Sequence, residues 1–518
     1  MYLGLDASTQ SLSAILIDTA QGEIIAEESV NFGAEFPEYG SANGFISPGK
    51  GVVTASPLMW LDALDLVLQR LCDKGLDLAK VRAICGAGQQ HASVYLNSRF
   101  ESVLRKLDAT RSLSEQFAST LSRAQSPIWM DNSTAEECVE ISNSVYPNKK
   151  VSELTGSVAT QRFTGPQIRK FYKQSPEAYS QTTTIHLNSS FLASIIAGSS
   201  APIDFGDGAG MNLMDIRTNE WNSEMLEATA PELSNKLPEL KNSGSYISKI
   251  SGYFVNKYGF CPNCDALSWT GDNPASLVGM GAATAGKVVI SLGTSDTLFA
   301  AMPESKTDPN GFGHVFGNPI KGYMSLICFA NGSLARESLK QQFNLSWEQF
   351  EELALTSKPL GNQGKLAVPL FTSEITPRLQ QAGFKTNEWD PQDEPVATTL
   401  RALLEGQFSN MKLQSEWMQL EINEILLTGG ASKNQAIAQT VADIFQAPVK
   451  RLEVSSSVGL GAAILAARSE GASYNTLVDT FCAPSAGTTL PQDGSAIYSS
   501  HLRDHSHFLE SLENSLGY

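Results

Sequence analysis

Two short turns rich in small hydroxyl residues are the first candidates for chemistry in this chain. Asp6-Ala-Ser-Thr-Gln10 and Gly293-Thr-Ser-Asp296 each follow an apolar run. Phosphate binding requires accessible backbone N–H groups and hydroxyls without bulky side chains around them, and both turns meet this requirement. The pattern GxxxxGK[ST] does not occur in the sequence, which disfavours the P-loop fold. The turns therefore indicate phosphate contacts of another kind, with an ordinary hairpin turn as the alternative for each.

Two acidic residues could bind a metal or transfer a proton. Asp6 stands at the end of an apolar run, where a carboxylate could hold Mg²⁺ through water, although an Asx-type turn bond explains it equally well. Asp272 stands in Gly271-Asp-Asn-Pro274, and the apolar residues that follow place it on a rigid element. A fixed carboxylate beside an amide could accept the proton of a hydroxyl that attacks phosphorus. From the residues alone, a helix N-cap followed by a polar turn is the simpler interpretation.

A second set of polar residues could recognise a substrate. Gln89-Gln90-His91 ends a predicted buried strand, where ligands often bind in α/β sheets. Arg162 could donate to sugar hydroxyls through its forked guanidinium. The pair Gly429-Gly430 precedes a predicted helix and would let a planar base or a ribose approach the backbone closely. Satisfied loop hydrogen bonds and a surface ion pair are the alternatives for the first two.

Strands that alternate with helices must position these residues. Apolar patterns bounded by turn and cap residues predict strands over 2–5, 12–17, 23–30, 81–86, 288–292, 297–301, 425–427 and 449–452, and helices after Ser56-Pro57, around 437–445 and over 458–467. The small residues of the last helix predict very close packing. The alternation indicates an α/β architecture with mainly parallel sheets. We expect His501, His505 and His507, in a polar and helical C-terminal segment, to be solvated.

The two hydroxyl-rich turns also resemble each other. Leu5-Asp-Ala-Ser-Thr9 and Leu292-Gly-Thr-Ser-Asp296 each lie between two apolar strands. This similarity predicts two related domains that face each other, whereas chance similarity of short Ser/Thr turns is the alternative.

The composition restricts the classes of function. The chain has 518 residues, with 37 Lys and Arg against 54 Asp and Glu, which gives a net charge of −17 and disfavours binding to nucleic acid or anionic lipid. Met1 leads directly into an apolar strand without a signal-peptide pattern, and no uninterrupted apolar run reaches the ~20 residues of a membrane helix. Seven cysteines lack a disulfide-framework spacing, and the lone Cys261-Pro-Asn-Cys264 lacks a second pair for zinc. We therefore expect a cytoplasmic protein in a reducing compartment.

The motifs together, in their order, resemble the FGGY family of carbohydrate kinases. They are Asp6-Ala-Ser-Thr-Gln10, Gly271-Asp-Asn-Pro-Ala-Ser276, Ser291-Leu-Gly-Thr-Ser-Asp296 and Thr428-Gly-Gly-Ala-Ser-Lys-Asn434. Within the family, the chain most resembles the longer, eukaryote-like xylulokinase branch, on Gly86-Ala-Gly-Gln-Gln-His91, Ser126-Pro-Ile-Trp-Met-Asp131, Arg162-Phe-Thr-Gly165 and Pro202–Leu213. The resemblance implies two actin/hexokinase-like (ribonuclease H-like) domains facing a central cleft. It implies an N-terminal sugar-binding domain over 1–285 and a C-terminal ATP-binding domain with a tail over 286–518.

The same resemblance implies ATP-dependent phosphorylation of D-xylulose at its C5 hydroxyl, with Mg²⁺. Asp272 would be the general base, and His91, Arg162 and Asn273 would hold the sugar. Asp6 and Asp272 would position Mg²⁺. The remaining residues would contact ATP: Ser8, Thr9 and Gln10 by the transferred phosphate, Gly293, Thr294 and Ser295 in the second phosphate turn, Gly429, Gly430 and Asn434 around adenosine, and Trp347 against the base.

Other functions stay open at this point. Another kinase of the family, acting on ribulose, glycerol or a different polyol, is the nearer alternative, and a non-catalytic ATP-binding scaffold of the actin or Hsp70 type is the more distant one. A scaffold would lack an equivalent of Asp272. Many bacterial members carry a Lys-aliphatic-x-Trp pattern where this chain has Lys170-Phe-Tyr-Lys173, so sugar contacts in that region do not transfer from them. A monomer and a homodimer are both compatible with the sequence.

Overall fold

A computed structural model describes residues 1–145, 150–356, 359–453, 456–485 and 487–517. The chain divides into two compact units. The first comprises Met1–Ala283, Val315–Met324 and Ser455–Cys482, and the second comprises Thr284–His314, Ser325–Val454 and Ala483–Tyr518. Within the described ranges, none of the helices is both long enough and apolar enough to cross a membrane.

The N-terminal segment forms one half of the first seven-stranded sheet. Tyr2–Ala7 pairs antiparallel with Ser11–Asp18, which pairs antiparallel with Glu23–Asn31. These three strands lie where the sequence predicts strands. On its other side, Tyr2–Ala7 pairs parallel with Ala83–Gly88, the strand predicted over 81–86. The strands that complete the sheet are Tyr246–Lys249, Asp265–Leu267 and Thr270–Gly271.

The second seven-stranded sheet repeats this plan. Lys287–Leu292 pairs antiparallel with Asp296–Met302 and parallel with Glu424–Thr428. Beyond Glu424–Thr428, Val449–Arg451 adds in parallel and Thr488–Thr489 adds antiparallel. The other strands of this sheet are His314–Gly317 and Tyr323–Phe329.

The two sheets share an order of strands and a sequence of pairing senses around their central strands. Reading outward from Tyr2–Ala7 and from Lys287–Leu292, each has an antiparallel hairpin on one side and a parallel, parallel, antiparallel series on the other. The prediction of two related domains is thereby confirmed. The prediction of mainly parallel sheets is wrong: both sheets are mixed. The hydroxyl-rich turns are too short for a parallel crossover, which needs a dozen or more residues, so the strands that flank them must be antiparallel.

Helices flank these sheets. Those of eight or more residues in the described chain are Pro57–Asp73, Ala135–Ser144, Thr164–Gln174, Asn188–Ala197, Asp272–Gly279, Ser333–Gln342, Trp347–Thr356, Val396–Ser415, Gln435–Phe445, Ser457–Arg468, Tyr474–Phe481 and Tyr498–Leu516. The helix predicted after Ser56 begins at Pro57, a favoured first helical residue.

The helix Ser457–Arg468 belongs to the first unit although it lies late in the sequence. A Cβ atom on Gly4 would lie 2.1 Å from the Gly459 carbonyl oxygen, and one on Gly461 would lie 1.9 Å from that of Ala275. The helix therefore packs directly on strand Tyr2–Ala7 and on helix Asp272–Gly279, which confirms the predicted close packing. Because of this contact, the compact units differ from the contiguous division at residue 285.

The C-terminal helix Tyr498–Leu516 corrects one expectation. His501 and His505 are buried, whereas His507 is exposed as predicted. The two buried histidines continue an i, i+3, i+4 face that starts at Tyr498 and ends with Leu509 and Leu512, and this face packs on helix Val396–Ser415. The periodicity is thus that of a docked amphipathic helix in which two of the core positions are histidines.

Candidate active site

Asp272 is fixed at the start of helix Asp272–Gly279, at the end of strand Thr270–Gly271. Its Oδ1 accepts from the Asn273 backbone N–H at 2.8 Å and from that of Gln90 at 3.4 Å. The Asn273 side-chain amide donates to Gln90 Oε1 at 2.8 Å. The carboxylate and the amide are therefore held together on a rigid element, as the sequence predicts.

Local geometry around Asp272 differs from the simpler interpretation, a helix N-cap followed by a polar turn. The N-cap residue is Gly271, and Asp272 is the first helical residue. Asn273 is also helical, and Pro274 fits in the first turn of the helix because a proline there has no N–H partner to lose.

The carboxyl groups of Asp6 and Asp272 are both buried, and both have raised pKa values. Burial raises the pKa of Asp272 to about 6, while N–H donors from Gln90 and Asn273 lower it. Burial also raises the pKa of Asp6 to about 7, the Ser8 hydroxyl bond lowers it, and the charge of Asp272 raises it. A nearby cation would favour the ionised form of both groups.

A magnesium ion suits this pair of carboxylates. Among the described residues, there is no group of three or more His, Cys, Asp or Glu side chains that could enclose a metal. Mg²⁺ commonly takes only one or two carboxylates and completes its octahedron with water and phosphate oxygens. Asp6 and Asp272 match that ligand set.

His91 and Arg162 both lie near one aromatic ring, that of Phe163. The His91 ring stacks on Phe163 with centroids 4.2 Å apart, and its Nδ1 donates to the Gly210 carbonyl at 2.7 Å. The Arg162 guanidinium lies 5.8 Å from the Phe163 ring centroid. His91 adopts φ of 71°, a conformation that is costly for a residue other than glycine and is often found at functional sites. The structure thus brings these two predicted sugar ligands together.

Two hydroxyl side chains of the first hydroxyl-rich turn, those of Ser8 and Thr9, form hydrogen bonds with other side chains. The Ser8 hydroxyl lies 2.8 Å from both carboxylate oxygens of Asp6. Thr9 Oγ1 accepts from Trp129 Nε1 at 2.7 Å, and Trp129 remains 44% exposed beside the turn. Gln10 is exposed at the end of the turn. Sequence reasoning gave no role to Trp129, although it stands in a motif that carries the family resemblance. It gave Gln90 a role in substrate recognition, whereas the structure shows Gln90 bonded to Asp272 and Asn273.

A cavity of about 780 Å³ in the second unit gathers five of the ten predicted nucleotide contacts. Of those residues, Gly293, Thr294, Trp347, Gly430 and Asn434 line it. Its volume lies within the range of small-molecule sites.

Two further residues predicted in this region adjoin the lining. Ser295 is the exposed end of the Gly293 turn. Gly429 has φ of +88°, and a Cβ atom there would lie 2.4 Å from the Leu292 carbonyl oxygen, whereas Gly430 faces open space. Only glycine therefore fits at position 429, next to the phosphate turn.

Trp347 and Asn434 both line the cavity, Trp347 with an exposed ring and Asn434 as the N-cap of a helix. Trp347 is the first residue of helix Trp347–Thr356 and is 42% exposed, so it is not a core residue. Phe350 is the buried residue of that turn. An exposed aromatic face on a cavity wall can stack against a planar base. Asn434 Oδ1 accepts from the Ile437 N–H at 3.0 Å and caps helix Gln435–Phe445.

Comparison with known proteins agrees with this geometry. Residues 109–279 match the N-terminal domain of the FGGY family of carbohydrate kinases, and residues 288–470 match its C-terminal domain. The chain is 40% identical over 512 residues to the xylulose kinase of Rattus norvegicus, covering 96% of this chain and 95% of that protein. It is 40% identical over 492 residues to xylulose kinase 2 of Arabidopsis thaliana, covering 90% and 87%. The crystal structure of xylulose kinase from Rhodospirillum rubrum shares the fold, with a TM-score of 0.83 at 19% identity over 99% of both chains. This chain therefore belongs to the FGGY family of carbohydrate kinases.

Proposed function

We propose that the protein phosphorylates D-xylulose with ATP and releases D-xylulose 5-phosphate and ADP. The observation that carries the proposal is the fixed Asp272–Asn273 pair, with His91 and Arg162 in the same unit, in a chain that is 40% identical to proteins named xylulose kinase. A non-catalytic ATP-binding scaffold would not need a rigid carboxylate at the position of Asp272.

In this proposal, Asp272 accepts the proton of the C5 hydroxyl as that oxygen attacks the γ-phosphorus. The backbone N–H groups of Gln90 and Asn273 lower the pKa of the carboxyl and oppose the effect of burial, so an ionised base is available near neutral pH. Asn273 and Arg162 donate to the sugar hydroxyls, and His91, whose Nδ1 donates to Gly210, accepts from a sugar hydroxyl through Nε2. Together they orient the C5 oxygen for in-line transfer.

ATP occupies the cavity of the second unit, with its base against Trp347 and its phosphates at the Gly293–Ser295 turn. Ser8, Thr9 and Gln10 serve the transferred phosphate. Asp6 and Asp272 hold Mg²⁺, which neutralises charge on the phosphates. With a net charge of −17 and no Walker lysine, the chain depends on turn N–H groups, hydroxyls and this ion to bind an anion.

A coupled assay of ADP formation across a panel of ketoses and polyols tests the proposal. We expect D-xylulose to give the highest kcat/KM, and Asp272→Asn to abolish most of the sugar-dependent turnover. A higher kcat/KM with ribulose, glycerol or another polyol would replace the substrate but keep the chemistry. Absence of sugar-stimulated turnover with every compound would favour the actin- or Hsp70-like scaffold.

A further inference from the structure

A buried ion pair stands directly behind the second phosphate turn. Asp296 follows the Gly293–Ser295 turn and is 2% exposed, and Arg336 on helix Ser333–Gln342 is fully buried. Both carboxylate oxygens of Asp296 accept from Arg336, one from Nη1 and one from Nη2, each at 2.8 Å. A bidentate pair of this kind fixes the orientation of both groups as well as their separation.

The same helix holds the backbone of the turn. The Ser333 N–H donates to the Gly293 carbonyl at 2.9 Å, and the Leu334 N–H donates to the Thr294 carbonyl at 3.4 Å. Arg336 Nη2 also donates to Ser333 Oγ at 2.9 Å. The carbonyls of the turn therefore face the helix. Over the part of the chain that the structure describes, no hydrogen bond uses the N–H groups of residues 293–295 as donors, which leaves them for a ligand.

The ion pair is enclosed by protein and does not line the nucleotide cavity. Gln407 Oε1 accepts from Arg336 Nη1 at 3.1 Å, and Gln407 Nε2 donates to the carbonyls of Asn331 and Gly332 at 2.6 and 3.0 Å. A Cβ atom on Gly332 would lie 2.6 Å from the Asp296 nitrogen, so the loop before the helix packs closely against the end of the turn. Arg336 can therefore affect a nucleotide only indirectly, through the turn or through Ser333, which lines the cavity.

A purely structural role explains this pair poorly. Buried ion pairs are weak contributors to stability, because the desolvation of both charges offsets their attraction, and apolar residues of similar volume do as well or better. What the pair supplies is geometry: it connects the turn, the start of the helix and Gln407 in one set of directed bonds.

We propose that Arg336 is a positioning residue for ATP. Arg336 holds the Gly293–Ser295 turn through Asp296, so that the N–H groups of the turn converge on the nucleotide phosphates. This proposal rests on the proposed function, in which the adjacent cavity receives ATP. It assigns Arg336 no contact with ATP or sugar.

Arg336→Lys tests the proposal, because lysine keeps the charge but cannot form the bidentate pair. We expect the KM for ATP to rise by about tenfold or more, while the KM for the sugar changes less than about twofold. Small misplacements of binding groups produce effects of this size. Arg401→Lys is the matched control: Arg401 is also buried, in the same unit, and pairs with Glu405 at 2.7 Å. It should leave the KM for ATP unchanged. An equal rise in both variants, or no rise in folded Arg336→Lys, would overturn the proposal.

Two additions keep the test decisive. If Arg336→Lys does not fold, Gln407→Met removes a neighbour of the guanidinium and should raise the KM for ATP selectively; an unchanged KM for ATP in that variant would refute the role. Calorimetric titration of MgADP without sugar measures the same effect independently of the substrate. Loss of MgADP affinity in Arg336→Lys supports the positioning role even if D-xylulose proves to be the wrong sugar, whereas unchanged affinity contradicts it.

Discussion

Replacement of His505 by leucine should make the protein less sensitive to acid. His505 has no exposed surface, and neither ring nitrogen has a hydrogen-bond partner in the described chain. Burial, with a smaller contribution from His501, lowers the pKa of His505 from 6.5 to about 3. The titratable groups of this cluster, from the C-terminal helix and helix Val396–Ser415, are Arg401, Glu405, Tyr498, His501 and His505.

The size of the effect follows from the two pKa values. Below pH 6.5 the unfolded chain binds a proton at His505 that the folded protein does not bind, so the free energy of unfolding falls as the pH falls. The loss is about 1.4 kcal/mol for each pH unit between the unfolded and the folded pKa. Between pH 6.5 and about pH 5, His505 should therefore cost the folded state about 2 kcal/mol, which His505→Leu removes.

Urea unfolding at about pH 7 and about pH 5 measures this difference, with His507→Leu as the control because His507 is exposed on the same helix. Each variant is compared with itself at the two pH values, so any change in stability from the substitution alone cancels. Wild type and His507→Leu should lose the same stability on acidification, and His505→Leu should lose less. If His505→Leu loses as much as wild type, His505 is not buried in a neutral form and the reasoning is refuted.

Other outcomes follow from the site and the packing. Asp272→Asn should lower kcat by roughly 10²–10⁴-fold while sugar binding stays measurable by calorimetry, since the amide oxygen still accepts the neighbouring N–H groups; near-normal turnover would remove Asp272 as the base. Arg162→Ala should raise the KM for the ketose far more than that for ATP, and equal effects on both would exclude Arg162 from the sugar site. Gly461→Ala should give little folded protein in a soluble-expression and thermal-unfolding test, because the added methyl would lie 1.9 Å from a backbone oxygen. Gly430→Ala, which faces open space, should unfold like wild type.

Local chemistry made part of the fold predictable from the sequence. The strands around residues 2–30 and 287–302 could be predicted because apolar runs and three-residue polar turns carry their own signals. The motif at Gly271–Pro274 likewise indicated a rigid carboxylate before any contact was known. The alternation of strands and helices indicates parallel sheets, whereas the short turns between neighbouring strands require antiparallel pairs, and the sheets are therefore mixed.

Other features depend on contacts between distant parts of the chain. His505 falls on the i, i+3, i+4 face of the C-terminal helix and His507 does not, but residue type is the same at both positions. Only the packing of that face on helix Val396–Ser415 shows which ring is buried. Asp296 ends the second hydroxyl-rich turn, but nothing in the sequence links it to Arg336, because their pairing requires a strand end and a helix to meet. Tertiary structure decides which residues become partners, so residue type alone does not predict whether a side chain is buried.

The place of helix Ser457–Arg468 in the first unit has a consequence for biosynthesis. The ribosome makes the chain from the N-terminus, so strand Tyr2–Ala7 and helix Asp272–Gly279 are complete long before the helix that packs between them exists. The first unit thus cannot reach its final packing until nearly the whole chain has been made, unlike a protein whose N-terminal domain folds as soon as it emerges. A truncated product would leave an apolar, glycine-lined surface uncovered, and the helix that begins at Asp272 would lack its neighbour. The packing around Asp272 is in this way tied to the synthesis of residues 457–468.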